Sequence, residues 1–229
     1  MSVTRTDLEQ NFARVHRGIA AACARAGRDA SEVRLVAVTK TFPADVVRSA
    51  YEAGVRDFGE NYAKELRGKA PAVPEAKWHY VGTLQSHTAH TVAEHADYVH
   101  GLEPGGAVAR LARKAASLDK VLPVLVQVDF ASSRNGVAPD EMLTFADEVA
   151  SLDGLVLSGL MTLPPMPASP DACRPYFAQL SRMGDDLRRR HPTALQLSMG
   201  MSLDYEVAVE EGATMVRVGT ALFGERARR

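Results

Sequence analysis

Short apolar runs alternate with amphipathic stretches along almost the whole chain, and that rhythm admits few folds. The spacing predicts strands over 34–40, 55–59, 77–82, 98–102, 121–130, 155–161, 194–199 and 213–218, eight in all. Between them it predicts helices over 43–53, 106–117, 139–151, 172–190 and 203–211. Ahead of the first strand, Leu8, Phe12, Val15 and Ile19 recur at helical spacing. Pro43 and Pro139 suit a first helical turn, while Gly54 and Gly212 stand where a helix end needs left-handed backbone. Glu52-Ala53-Gly54-Val55 and Glu210-Glu211-Gly212-Ala213 repeat one helix-to-strand junction. Strands that alternate with helices pair in parallel, and a count of eight favours closure over an open doubly wound sheet. The expected fold is therefore α/β: residues 1–229 as a single (β/α)8 TIM barrel domain with an additional N-terminal helix.

Composition narrows the function classes. Apolar residues make up 46% and charged residues 24%, the balance of a globular domain. A net charge of −1 offers no pull toward nucleic acid or an anionic membrane, and Arg188-Arg189-Arg190 reads as a solvated helix end. The start lacks an apolar leader, and no stretch approaches the roughly 18 apolar residues of a membrane span, so a cytoplasmic location is expected. Cys23 and Cys173 have no Cys-x-x-Cys spacing, and His87, His90 and His95 do not combine with a third ligand, so neither a disulfide nor a metal is expected. No exposed apolar stripe asks for a partner, and the pattern by itself leaves the oligomeric state open.

Lys40 closes the run Leu35-Val36-Ala37-Val38-Thr39, and alternation puts it on the face of Val36 and Val38. If that face lines the barrel, the ammonium sits at a C-terminal strand end, where barrels build their active sites. A partly desolvated lysine there is a nucleophile suited to forming a Schiff base, although a strand-end lysine can also simply reach out to water. Two glycine-bearing turns share the same rim: Ser198-Met199-Gly200-Met201-Ser202 after the seventh strand and Gly219-Thr220 after the eighth. Their backbone N–H groups, with a short helix through Ala221 and Phe223, offer a phosphate cradle, unless the glycines merely serve tight turns. Arg217 falls inward beside Met215 and needs an acceptor, either Glu60 or another carboxylate in an ion pair, or a ligand. Asn61 and His79 end the second and third strands and could line a bound ring. A lone histidine in an apolar strand reads as a core residue, so Asn61 is the stronger candidate.

Six motifs extend the pattern: Val38-Thr39-Lys40-Thr41, Phe58-Gly59-Glu60-Asn61-Tyr62, Trp78-His79-Tyr80-Val81-Gly82, Gly159-Leu160-Met161-Thr162, Leu197-Ser198-Met199-Gly200-Met201-Ser202 and Val216-Arg217-Val218-Gly219-Thr220-Ala221-Leu222-Phe223-Gly224. In this order, from about Arg34 to Gly224, they resemble the YggS/PROSC family of pyridoxal phosphate homeostasis proteins, whose barrel is similar to that of bacterial alanine racemase. The resemblance implies pyridoxal 5′-phosphate (PLP) as cofactor, Lys40 as its Schiff-base lysine and Arg217 facing the pyridine nitrogen. It places Ser198, Gly200, Met201, Gly219 and Thr220 at the phosphate; Asn61, His79 and Met161 are the further candidates for cofactor contact. A fixed positive charge at the ring nitrogen would keep it unprotonated and weaken the ring as an electron sink.

Alanine racemase-like enzymes add a β-rich second domain that supplies a tyrosine, whereas only residues 219–229 follow the last strand here. The resemblance thus implies a mostly monomeric carrier or regulator in vitamin B6 homeostasis, supplying PLP to dependent apoenzymes without requiring catalysis. The rival readings are a minimal PLP-dependent racemase or lyase with Lys40 as sole base, and a sugar-phosphate binder with Lys40 as a charge clamp. Leu84-Gln85-Ser86-His87-Thr88 departs from the family's frequent Leu-Gln-Xaa-Asn-Lys, and a lysine common in the fifth loop is replaced near Arg134. Exchange roles for those loop lysines do not carry over.

Overall fold

The computed structural model describes residues 4–131, 135–165 and 168–224, so Arg134 lies outside the described residues. Helix α1 (Arg5–Arg25) opens the chain under a capping box, with the Thr4 hydroxyl accepting from the Asp7 N–H and the Asp7 carboxylate from the Thr4 N–H. Its Leu8, Val15 and Ile19 are buried and Phe12 packs at the edge of the core. There follow β1 (Arg34–Val38), α2 (Ala44–Glu52), β2 (Asp57–Glu60), α3 (Ala63–Lys69), β3 (Lys77–Tyr80), α4 (Ala89–His95) and β4 (Tyr98–Leu102). The second half holds α5 (Gly106–Ala116), β5 (Leu122–Val128), α6 (Met142–Ala150), β6 (Leu155–Thr162), α7 (Arg174–Arg190), β7 (Gln196–Ser198), α8 (Tyr205–Glu210), β8 (Met215–Val218) and α9 (Thr220–Phe223). The strands run β1 to β8 in chain order and close into a parallel barrel. This is the expected (β/α)8 barrel with an added N-terminal helix. No helix among the described residues is long and apolar enough to cross a membrane.

Strands β2 and β8 begin later than the sequence predicts, for one reason. Gly54 (φ +108°) and Gly212 (φ +101°) take the left-handed conformation, and the next N–H reaches back to close the helix, Val55 to Ala50 and Ala213 to Ala208. Val55 and Ala213 thus belong to helix exits, and β2 and β8 start only at Asp57 and Met215. Pro139 does not open a helix as expected: it lies in a turn, and α6 starts at Met142. The helices α3 and α4 carry too few large apolar residues for periodicity to mark them.

Two cores result. Phe58, Trp78, Val99, Leu160 and Val216 pack outward beneath the helices, while Leu125, Met161 and Met215 form a separate small cluster inside the barrel. Met161 reaches the inside only through a bulge. Leu157 pairs with Val124 but Gly159 with Leu125, so Ser158 is the extra residue, and the alternation that sends Leu155 and Leu157 outward is reversed beyond it. Gly159 makes the reversal with φ +148°, against the Gln196 carbonyl of β7. A methyl there would overlap that oxygen in a conformation that side chains avoid. Gly159→Ala should therefore cost at least about 2 kcal/mol in urea unfolding. A loss of a few tenths would show that the bulge does not depend on the glycine.

Candidate functional site

The site starts where the barrel closes. Val36 pairs with Arg217 and Ala37 with Val218 across the β1–β8 seam, and Gly219 follows so closely that a Cβ on it would stand 3.3 Å from the Val38 carbonyl oxygen. The turn bearing Lys40 and the Gly219–Thr220 turn therefore leave the mouth side by side. Val36 and Val38 flank Gly59 on the inner face, and Lys40 follows them, half-buried, where β1 ends. Lys40 lies four residues beyond the partner of Arg217, about 13 Å along an extended chain.

The backbone on either side of Lys40 is clamped. Thr41 adopts a left-handed φ of +72°, a strained choice for a β-branched residue that costs roughly 1–2 kcal/mol. Its N–H donates to Glu65 at 2.8 Å, and Lys69 Nζ donates to the same carboxylate (2.6 Å), to Glu60 (2.7 Å) and to the Thr39 carbonyl (2.8 Å). The Thr39 hydroxyl also donates to Glu60 at 2.7 Å. Glu60 is fully buried on the outer face of β2, and its Oε2 has no partner among the described residues. Burial pushes its carboxyl up to about 7 despite Lys69. The expected alternative of a Glu60–Arg217 ion pair is corrected here. The two residues face opposite sides of the wall, and Glu60 is taken by Lys69.

Beside the Lys40 turn, hydrogen-bond donors converge on one point. The N–H groups of Gly219 and Ala221 both reach Ser202 Oγ, at 3.2 and 3.3 Å. That hydroxyl, having accepted twice, keeps its own proton to donate. Gly200 makes the preceding turn with φ +88°, and its carbonyl accepts from the Arg217 N–H. The Met201 N–H is already held by the buried Asp204 carboxylate at 2.6 Å. Cys173 donates to the other Asp204 oxygen, and burial beside this carboxylate pushes the thiol up to about 12. Thr220 is exposed at the start of α9. The added helix α1 braces this rim, since Asn11 and Arg14 donate to the carbonyls of Leu222 and Ala221.

Arg217 forms the floor. Its side chain lies inside the barrel, donating Nη1 to Ser198 Oγ (2.5 Å) and Nη2 to the Thr162 carbonyl (2.9 Å). Burial lowers the guanidinium to about 10, with Asp204 opposing the shift, so it remains a cation at neutral pH. Two residues expected as cofactor contacts have protein partners in this arrangement. Ser198, expected at the phosphate, turns its hydroxyl inward to Arg217 and His100. His79, expected beside a ring, is wholly buried with both ring nitrogens engaged, Nε2 by Asp57 and Nδ1 by His100. Asn61 is half-buried at the end of β2, with its carbonyl against Gly82, and Met161 lines the inner cluster. Sequence reasoning missed Ser202, Glu60 with Lys69, and His100 with Asp57. A histidine at an inward position of β4 was the available signal for the last pair.

A family model described as alanine racemase, N-terminal domain, matches residues 13–227. A pyridoxal phosphate homeostasis protein from Pseudomonas aeruginosa is 41% identical over 223 residues, covering 96% of each chain. The chain belongs to the pyridoxal phosphate homeostasis protein family. Another member, from Aquifex aeolicus, is 36% identical over 95% of this chain and 97% of its own. Among solved structures, PipY of Synechococcus elongatus with PLP bound superposes with a TM-score of 0.83 at 33% identity, covering 95% of this chain and 100% of PipY. An alanine racemase from Clostridium difficile shares the fold at 15% identity and a TM-score of 0.76, over 97% of this chain and 58% of that one.

Glu60 sets a pH signature. Its carboxyl titrates at about 7 when folded against an ordinary 4.5, so the folded state keeps a proton that the unfolded chain releases. Its contribution to stability therefore falls as pH rises from 4.5 to about 7, then levels off. Removing Lys69 leaves the carboxylate buried without its cation. Lys69→Met should cost roughly 3–5 kcal/mol in urea unfolding at pH 8 and far less at pH 5, where Glu60 is protonated. Equal losses at both pH values would exclude the carboxylate as the cause.

Proposed function

We propose that this chain holds PLP covalently on Lys40 and keeps it available to PLP-dependent apoenzymes, as part of vitamin B6 homeostasis. When bound, PLP supplies an aldehyde that condenses with a lysine amine, with loss of water, and a phosphate that needs hydrogen-bond donors. The observation that carries the reading is the seam between β1 and β8, which sets Lys40 beside the donors gathered at Ser202. The PLP-bound structure of a relative of matching length supports it.

In this reading Lys40 provides the amine, held in place by the clamp on Thr39 and Thr41. Ser202, Gly219, Thr220 and Ala221 hold the phosphate, and Asn61 and Met161 contact the ring. Ser198 serves Arg217 rather than the phosphate. The permanent charge of Arg217 faces the ring nitrogen and keeps it unprotonated, which withholds the electron sink that transamination and racemisation exploit. The site is thereby biased toward holding its cofactor over turning over amino acids. Residues 1–229 act as one PLP-binding unit, since α1 packs on α8 and α9 and so joins the barrel.

A monomer fits the exposed large apolar side chains. Tyr62 and Leu203 stand at the mouth, and Leu118, Val121 and Leu195 stand on loops at the opposite end, so no single face gathers them. Two buried free cysteines suit a reducing, cytoplasmic setting. The test is to mix the purified chain with PLP, reduce with borohydride and map the modified peptide. A label on Lys40 that vanishes in Lys40→Ala is expected. A label on another lysine, or none, would overturn the reading, and rapid exchange of amino-acid α-hydrogens with solvent would favour the racemase instead.

A further inference from the structure

Barrel interiors of this kind are mostly filled by branched aliphatic side chains, yet this one carries a continuous polar column. Asp57 Oδ1 lies 2.9 Å from His79 Nε2, and His79 Nδ1 lies 2.9 Å from His100 Nε2. His100 Nδ1 is 2.8 Å from Ser198 Oγ, which accepts from Arg217 Nη1 at 2.5 Å. The column crosses the barrel from β2 through β3, β4 and β7 to β8, with an anion at one end and a cation at the other. Placing two imidazoles and a carboxylate in this interior costs free energy unless every polar atom is matched, and here each ring nitrogen is.

The directions of the hydrogen bonds follow from the partners. Burial lowers both histidines, His100 well below its ordinary value, so both are neutral. The charges that face them are Asp57 from β2, Arg34 from β1, Asp97 just before β4 and Arg217 from β8. A carboxylate at Asp57 can only accept, so His79 carries its proton on Nε2 and offers Nδ1 as an acceptor. His100 must then donate from Nε2, which leaves its own Nδ1 to accept the Ser198 proton. Ser198, with its proton spent on His100, presents lone pairs to Arg217. All donors point the same way, from Arg217 to Asp57.

We propose that Asp57, His79 and His100 are positioning residues for Arg217: a one-way relay that fixes the Ser198 hydroxyl as an acceptor and so locks the guanidinium in its orientation toward the mouth. Its consequence for PLP rests on the reading above, in which Arg217 meets the ring nitrogen. Without the relay the Ser198 hydroxyl could rotate and turn its proton toward Arg217, and the cation would lose a fixed anchor. The field that the ring nitrogen feels would then vary with the rotation.

The experiment has two arms. In the apo protein, nitrogen-15 NMR of the histidine rings should find both His79 and His100 neutral with the proton on Nε2, and a proton on Nδ1 of His100 would overturn the relay. In the PLP-loaded protein, His100→Leu should displace the visible absorbance band and weaken PLP retention about tenfold. His100→Asn, whose side-chain oxygen overlays Nδ1 and still accepts from Ser198, should recover most of both. An unshifted band in His100→Leu, with borohydride still labelling Lys40, would overturn the proposal and leave the function standing. Absence of the Lys40 label in the unmodified sequence would instead overturn the function, while the tautomers would still test the relay.

Discussion

Arg217 is a cation held inside a barrel, and much of the structure around the seam answers that fact. A buried guanidinium demands acceptors, and here they are the Ser198 hydroxyl and the Thr162 carbonyl, with the Ser198 hydroxyl joined through His100 and His79 to the Asp57 carboxylate. Asp204 supplies a counter-charge from the β7–α8 turn. The arrangement spends barrel interior on polar groups where aliphatic packing would be more stable. That cost is consistent with a charge that has to be in one place and one orientation.

The same economy governs the amine. Thr41 accepts a left-handed backbone, and the Glu60–Lys69–Glu65 cluster holds the turn on both sides of Lys40. A buried carboxyl with an oxygen that has no partner among the described residues is a poor stabiliser, so Glu60 is better understood as a strut than as a source of net stability. Helix α1, outside the eight repeats, supports the third component by hydrogen-bonding the carbonyls of α9. The Lys40 turn, the Gly219 rim and Arg217 thus each have their own support, and they are neighbours because β1 and β8 pair.

How much of this is legible from the chain depends on whether the information is local. The strands are, because parallel strands buried on both faces read as apolar runs, and Leu122–Val128 or Met215–Val218 can hardly be anything else. The Gly54 and Gly212 helix exits are local too. Their reach is not, since the bond from Val55 back to Ala50 decides where β2 begins. Met161 would point outward by simple alternation, and only the bulge at Ser158 turns it in. Lys40 and the Gly219 turn were readable as a pair because motifs mark both ends of the chain. The polar column was not, because His100 sits in the apolar strand Tyr98–Leu102 and its partners are 21 and 98 residues away. The same holds for Ser198, whose place in a glycine-rich turn suggests phosphate while its side chain follows the strand inward.

The proposed function requires that amine, phosphate donors and floor cation form a single site across the seam. A crystal structure of the protein loaded with PLP tests it most directly. It should show density continuous from Lys40 Nζ to the cofactor, the phosphate on the Ser202, Gly219 and Ala221 donors, and the ring nitrogen within hydrogen-bonding distance of Arg217. A phosphate bound elsewhere, or a ring whose nitrogen faces away from Arg217, would contradict it.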